Sequence, residues 1–392
     1  MQPESVRNSL PVLLVDPTNV ETVGLVEAAA SMAGLTHQVH VPSGEPSDVP
    51  DPVEARPCAI VLQLDEPGLS VRMGAVRGLL ELAAIPLIGL SRKLGDLAFE
   101  QAFSAGIDEC CPPDIDSLGR VLRAVGRLPA AEIVRTEQRV LVAEPERAMR
   151  LLIGRVFRAA GYEVSFAVDA RDTLARAADP TVKIVVCSAA LDEAAAGELP
   201  LFRRAVATGC RAAWILNTPP KLIPAACARI AEVTGISVAV HDAFSAPANL
   251  LFVANELLNR PLRDARKSER LLYGTTVRFR LAGRESEQLG YCYNLSAGGL
   301  YVRTLGPPAR LDDLWLELVP PRSDRRVHLE ARCVWVRPYG PGRGATVPAG
   351  FGVEITGATP TDQERYQHGY QAFLAERSAL RRSLAPQGTA AS

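Results

Sequence analysis

The stretch YCYNLSAGGLYVRT, Tyr291 to Thr304, gathers small, hydroxyl and amide residues that could hold an anion. Tyr291, Tyr293, Leu300 and Val302 are strand formers, whereas Asn294, Ser296, Gly298 and Gly299 permit a sharp turn with exposed backbone N–H groups. These residues alone leave two readings open. One is an ordinary glycine-rich hairpin; the other is a socket in which N–H groups approach a phosphate with no Cβ in the way. Arginine complements such a socket, because a guanidinium forks onto a phosphate. Arg266 and Arg270 lie upstream in PLRDARKSER, Arg270 at 24 residues before Asn294.

Other chemistry is sparse. No Ser/His/Asp or paired-carboxylate set gathers around a motif, so no catalytic residues are expected. GPGRGATVPAGFG lacks the GK[ST] ending of a phosphate-binding P-loop. His37 and His40, three apart in an extended segment, should face opposite sides of it. Cys58, Cys110, Cys111, Cys187, Cys210, Cys227, Cys292 and Cys333 show no CxxC or regular spacing, which reads as buried thiols and not as zinc or a disulfide framework. Neither a metal nor a cofactor is expected.

The elements that must position these residues follow from pattern. PVLLVDPTNVETVGLVEAAASMAGLTHQVHV from Pro11 and RVLVAEPERAMRLLIGRVFRAAGYEVSFAV from Arg139 share one plan: strand, acidic-Pro turn (Asp16-Pro17, Glu144-Pro145), helix, glycine (Gly34, Gly161), strand. The offset is 127 to 128 residues, a duplication at domain scale. Each copy continues as alternating apolar strands and helices, among them a helix VRMGAVRGLLELA at 71–83, which predicts a parallel sheet covered by helices. After a charged segment come six short alternating strands, then an amphipathic helix from Thr361, with Thr361 as N-cap and Glu364 three residues on.

The expected architecture is multidomain: α/β domains at 10–130 and 138–260, a charged linker with the arginine motif at 261–276, and a small antiparallel β-barrel with a C-terminal helix at 277–384. Trp335 and Phe351 read as core residues of the barrel. From Arg263 onward there are 19 Lys/Arg against 13 Asp/Glu, and before it 24 against 31, so the C-terminal part is the better site for an anionic ligand. With no run of eighteen apolar residues and no signal-peptide pattern, a soluble cytoplasmic chain is expected, without membrane insertion and without DNA as a partner.

Both N-terminal copies resemble receiver domains of two-component response regulators in strand and helix order. That resemblance implies an acidic pair after the first strand, a phospho-accepting Asp ending the third, Ser/Thr ending the fourth and Lys ending the fifth. The first copy keeps Asp16 and Ser91, but Gln63 takes the acceptor position and Pro112 or Pro113 the lysine position, with Asp65 the nearby carboxylate. The second copy has Cys187 as acceptor, Asn217 at the Ser/Thr position and Phe244 or Ser245 at the lysine position. Both therefore read as pseudo-receivers, kept as interaction surfaces for a protein partner.

The C-terminal 120 residues resemble a PilZ domain, the β-barrel that binds cyclic di-GMP. Asn294-Leu-Ser296-Ala-Gly-Gly299 fits the family's [D/N]xSxxG, and Arg266 to Arg270 fits its RxxxR formally. The resemblance implies a ligand held by Arg266, Arg270, Asn294, Ser296, Gly298 and Gly299. Registering on TTVRFRL instead would make Arg270 the first arginine and put Gly274 where the second belongs. The expected function is a non-catalytic signalling protein that senses cyclic di-GMP. A ligand-independent scaffold in motility or polarity, and a phosphorelay response regulator, are the alternatives.

Overall fold

The computed structural model describes residues 11–15, 20–40, 57–65, 85–128, 138–193, 201–231, 236–258, 268–340 and 345–384. Asp16, the helix expected at 71–83 and the segment 259–267 with Arg266 lie outside the described residues. The chain divides into two compact units. The first joins Met1–Ile133 to Arg266–Pro341 and Pro348–Ala372; the second comprises Val134–Ala265, Gly342–Val347 and Phe373–Ser392. The first α/β domain and most of the barrel thus belong to one unit.

In that unit the sheet runs β2-β1-β3-β4-β5, all parallel, from β1 (Val12–Val15), β2 (His37–His40), β3 (Ala59–Gln63), β4 (Leu87–Leu90) and β5 (Glu109–Cys111). Strands β3 and β4 are near-continuous buried runs, as a sheet covered on both faces requires. The described helices are α1 (Val20–Met32), α2 (Asp96–Ser104) and α3 (Ile115–Gly126). Gly34 follows α1 at φ +71°, the left-handed turn that lets the chain reverse into β2.

The second unit repeats the design with β6 (Arg139–Ala143), α4 (Arg147–Ala159), β7 (Glu163–Ala167), α5 (Ala170–Ala177), β8 (Val182–Ser188), α6 (Ala189–Glu193), α7 (Leu201–Ala207), β9 (Ala213–Thr218), α8 (Ile223–Ala231), β10 (Val238–Asp242) and α9 (Asn249–Leu258). Its parallel order, β10-β9-β8-β6-β7, is the same flavodoxin-like order read from the other edge. Helices α1 and α4 have 13 residues each. Phe157, Ile184 and Trp214 are fully buried in its core.

The barrel closes in the order β11-β12-β13-β16-β15-β14, from β11 (Leu271–Leu281), β12 (Gln288–Ser296), β13 (Gly299–Arg303), β14 (Asp313–Leu318), β15 (Val327–Arg337) and β16 (Gly350–Ala358), followed by α10 (Pro360–Leu384). Strand β15 alternates buried and exposed positions from Val327 to Val334, the period-2 pattern of a small barrel wall.

Three expectations are corrected here. Strand β11 starts at Leu271, four residues ahead of Thr275, because a bulge between Leu272 and Thr275 lets the chain enter the ladder earlier. Trp335 is not core: it is 42% exposed and its ring lies 5.5 Å from that of Tyr301. A bulge between Cys333 and Trp335 inserts one residue, so the alternation that buries Cys333 turns Trp335 outward. The helix cap is Thr359 in place of Thr361; its hydroxyl accepts from the Asp362 N–H at 3.2 Å, and Pro360, which needs no N–H partner, takes the first helical position. Phe351 is fully buried, as the pattern indicates.

Candidate functional site

The ends of the parallel strands place the residues expected at receiver positions. Gln63 closes β3 and donates its Nε2 to the Thr22 hydroxyl of α1 at 2.7 Å. Asp65 is exposed, and its carboxylate accepts from Ser91 Oγ at 2.6 Å and from the Arg92 N–H. Pro112 directly follows β5. The strand ends thus present an amide at Gln63 and a proline at Pro112. Incubation with acetyl phosphate and Mg²⁺ should leave the intact mass unchanged; a stable gain of one phosphoryl group, lost on Asp65→Ala, would reverse that reading.

In the second domain Cys187 is fully buried, and burial, aided by the Glu144 charge, pushes its thiol up to about 12. Burial thus disfavours the thiolate, the form in which a cysteine acts as a nucleophile. Asn217 Oδ1 meets His241 Nδ1 at 2.9 Å, and Ser245 Oγ lies 3.1 Å from His241 Nε2, a polar chain at the ends of β9 and β10. Phe244 is exposed. Burial lowers the His241 pKa from 6.5 to about 4. The unfolded chain therefore takes this proton more readily, and stability contributed above pH 6.5 is lost as the pH falls toward 4. The loss is on the order of 3 kcal/mol. Denaturant melts followed at Trp214 should show it, and His241→Asn should flatten the dependence.

In the barrel, the ladder between β11 and β12 pairs Leu271 with Leu295 and Leu272 with Asn294. Arg270 precedes β11 by one residue, so the register carries it to the level of Ser296, at the lip of the turn. Arg270 is exposed there. Gly274, the alternative arginine position, has no room for a side chain: a Cβ would fall 2.3 Å from the Tyr291 hydroxyl. The spacing and the strand start together favour Arg270, and not Gly274, as the residue next to the turn.

The turn Ser296–Gly299 has its four carbonyl oxygens occupied. Tyr366 of α10 donates its hydroxyl to Ser296 O at 2.9 Å and to Gly299 O at 3.3 Å, Gln367 Nε2 donates to Ala297 O at 2.7 Å, and the Ile355 N–H donates to Gly298 O at 2.9 Å. Ser296 Oγ also donates to Gly299 O at 3.2 Å. No peptide bond among the described residues is cis. In a trans peptide the N–H points opposite to the preceding C=O, so the N–H groups of Ala297 and Gly298 point away from α10. That is the polarity an anion needs.

The two glycines of the motif differ in their surroundings. Gly299 carries a packing constraint: a Cβ there would lie 2.1 Å from Val353 O on β16. Gly298 is exposed with nothing within 4 Å, so packing leaves its side-chain space open. Asn294 is buried at 2% exposure between Leu272 and Tyr301, which places it behind the turn.

Helix α10 supports both halves of the site. Tyr370, one helical turn after Tyr366, donates its hydroxyl to Glu269 O at 2.9 Å, next to Arg270. Gly369 lies between them because a Cβ would meet Pro321 O at 2.4 Å. The sequence reading missed Tyr366, Gln367 and Tyr370; the signal available was the four-residue spacing of two tyrosines on an otherwise charged helix.

Residues 264–371 match the family model of the PilZ domain, and this segment is a PilZ domain. The whole is thus two flavodoxin-like, receiver-like domains followed by a PilZ barrel. Among solved structures, similarity is found to the inhibitor of motility MotI/DgrA of Bacillus subtilis, with 21% identity, TM-score 0.24, over 29% of this chain and 54% of that one. YcgR of Escherichia coli, in complex with c-di-GMP, gives 17% identity and TM-score 0.24 over 30% of this chain and 49% of that one. This chain therefore spans about half the length of either protein. The C-terminus of Escherichia coli RcsC, containing a phosphoreceiver domain, gives 13% identity and TM-score 0.26 over 64% of this chain and 95% of that one. No curated protein matches. Among the described residues, no helix is long and apolar enough to cross a membrane, and no group of three or more His, Cys, Asp or Glu could hold a metal ion.

Proposed function

We propose that the PilZ barrel binds cyclic di-GMP between the arginine segment and the NLSAGG turn. The chain is then a non-catalytic signalling protein whose receiver-like domains have exchanged phosphoryl chemistry for protein contacts. The observation that carries this reading is the register that brings Arg270 level with Ser296, beside a turn whose carbonyls are engaged on the inner side. A phosphate there would meet N–H groups from the turn and a guanidinium from the opposite strand, both charge-compatible with a dianionic ligand. Arg266 would close the clamp from the preceding segment.

Calorimetric titration of the full chain with cyclic di-GMP tests the proposal. Saturable heat accompanied by a raised melting temperature is expected, since a ligand that binds only the folded state stabilises it. A chain that gives neither at high micromolar ligand is a ligand-independent scaffold, and its NLSAGG a hairpin turn.

A further inference from the structure

Within the first unit, α2 and β5 of the α/β domain pack against the barrel at β11, β12 and the end of β13. Asp96, at the start of α2, accepts from the Thr276 N–H at 2.6 Å and from the Thr276 hydroxyl at 2.7 Å, both on β11. On β12, Tyr291 donates to Glu100 Oε1 at 3.1 Å and stacks on Phe99 with centroids 5.3 Å apart. On β13, Arg303 is buried, its guanidinium 3.6 Å from the centre of the Phe103 ring and donating to Ile107 O at 2.9 Å.

The same three strands run on to the candidate ligand site. On β11, Arg270 precedes the strand that reaches Asp96 at Thr276; β12 runs from Tyr291 to Ser296; β13 runs from Gly299 to Arg303. Each strand is thus held by the α/β domain a few residues from a group proposed to meet the ligand. Strands of that length transmit position, because slipping one residue would turn every side chain to the opposite face.

We propose that the first α/β domain acts as a positioning partner for the cyclic di-GMP site: its docking through α2 pre-orders β11, β12 and β13 and so raises ligand affinity. The proposal rests on the cyclic di-GMP reading. It goes beyond it by giving the first domain a role directed at its own barrel. Docked strands have less conformational freedom left to lose on binding, which is the origin of affinity by pre-organisation. Linkage makes the effect reciprocal, so ligand must also strengthen the docking.

The test uses the full chain with Asp96→Ala/Glu100→Ala, both residues being exposed on α2 and outside the ligand segments. Wild type and variant are titrated with cyclic di-GMP, and amide exchange of 96–104 is followed with and without ligand. A dissociation constant raised about three- to tenfold is expected, in the range of typical coupling between sites. In wild type, ligand should slow exchange in α2. Asp96→Asn, which keeps the shape and some of the hydrogen bonding, should fall between wild type and the double variant. Wild type that binds while the double variant binds equally well or more tightly overturns the coupling and leaves the ligand reading standing. A wild-type chain that binds no cyclic di-GMP overturns both.

Discussion

Arg270→Ala should weaken cyclic di-GMP binding by roughly ten- to a hundredfold while leaving the melting temperature unchanged. Losing one charge-assisted hydrogen bond to a phosphate or guanine costs about 1.5–3 kcal/mol, which is that range of affinity. Arg270 is exposed just before β11, so truncating it removes no core contact. Arg266→Ala should match the loss if the formal RxxxR is the clamp, and should cost much less if Gly274 occupies the second position. The double change Arg266→Ala/Arg270→Ala should abolish measurable binding. Calorimetry and thermal denaturation on the same preparations check both halves. An Arg270→Ala chain that binds like wild type would move the site away from the NLSAGG turn.

The two adjacent glycines should respond in opposite ways. Gly299→Ala should lower barrel stability by about 1–3 kcal/mol or more, the usual cost of overpacking, because its Cβ would meet a backbone oxygen that cannot rotate aside. The contact is Val353 O at 2.1 Å, and relieving it means separating β13 from β16 where Gly299 pairs with Glu354. Gly298→Ala should change stability by no more than about 0.5 kcal/mol, as at an open surface position. If Gly298→Ala nonetheless weakens cyclic di-GMP binding, the loss belongs to ligand approach and not to folding. Melting curves and titrations of both variants separate the roles. Equal destabilisation by the two substitutions would show that the hairpin is packed differently.

Local pattern was enough for the framework. Apolar runs at Ala59–Gln63 and Leu87–Leu90, bounded by turn residues, read as strands buried on both faces, and alternation at Val327–Val334 reads as a one-sided wall, because the period of a strand is fixed by backbone geometry. The duplication and the turn residues at 294–299 are likewise readable from local sequence. The rest depends on contacts between residues far apart in the chain, which no local period encodes. Gly299 owes its identity to β16, more than fifty residues away, and Gly274 owes its own to Tyr291. Two single-residue bulges decided that β11 begins at Leu271 and that Trp335 faces out, because one inserted residue inverts every later side chain. The tyrosines of α10, and Asp96 bound to Thr276 across 180 residues, gained their roles only when tertiary packing brought their partners within hydrogen-bond reach.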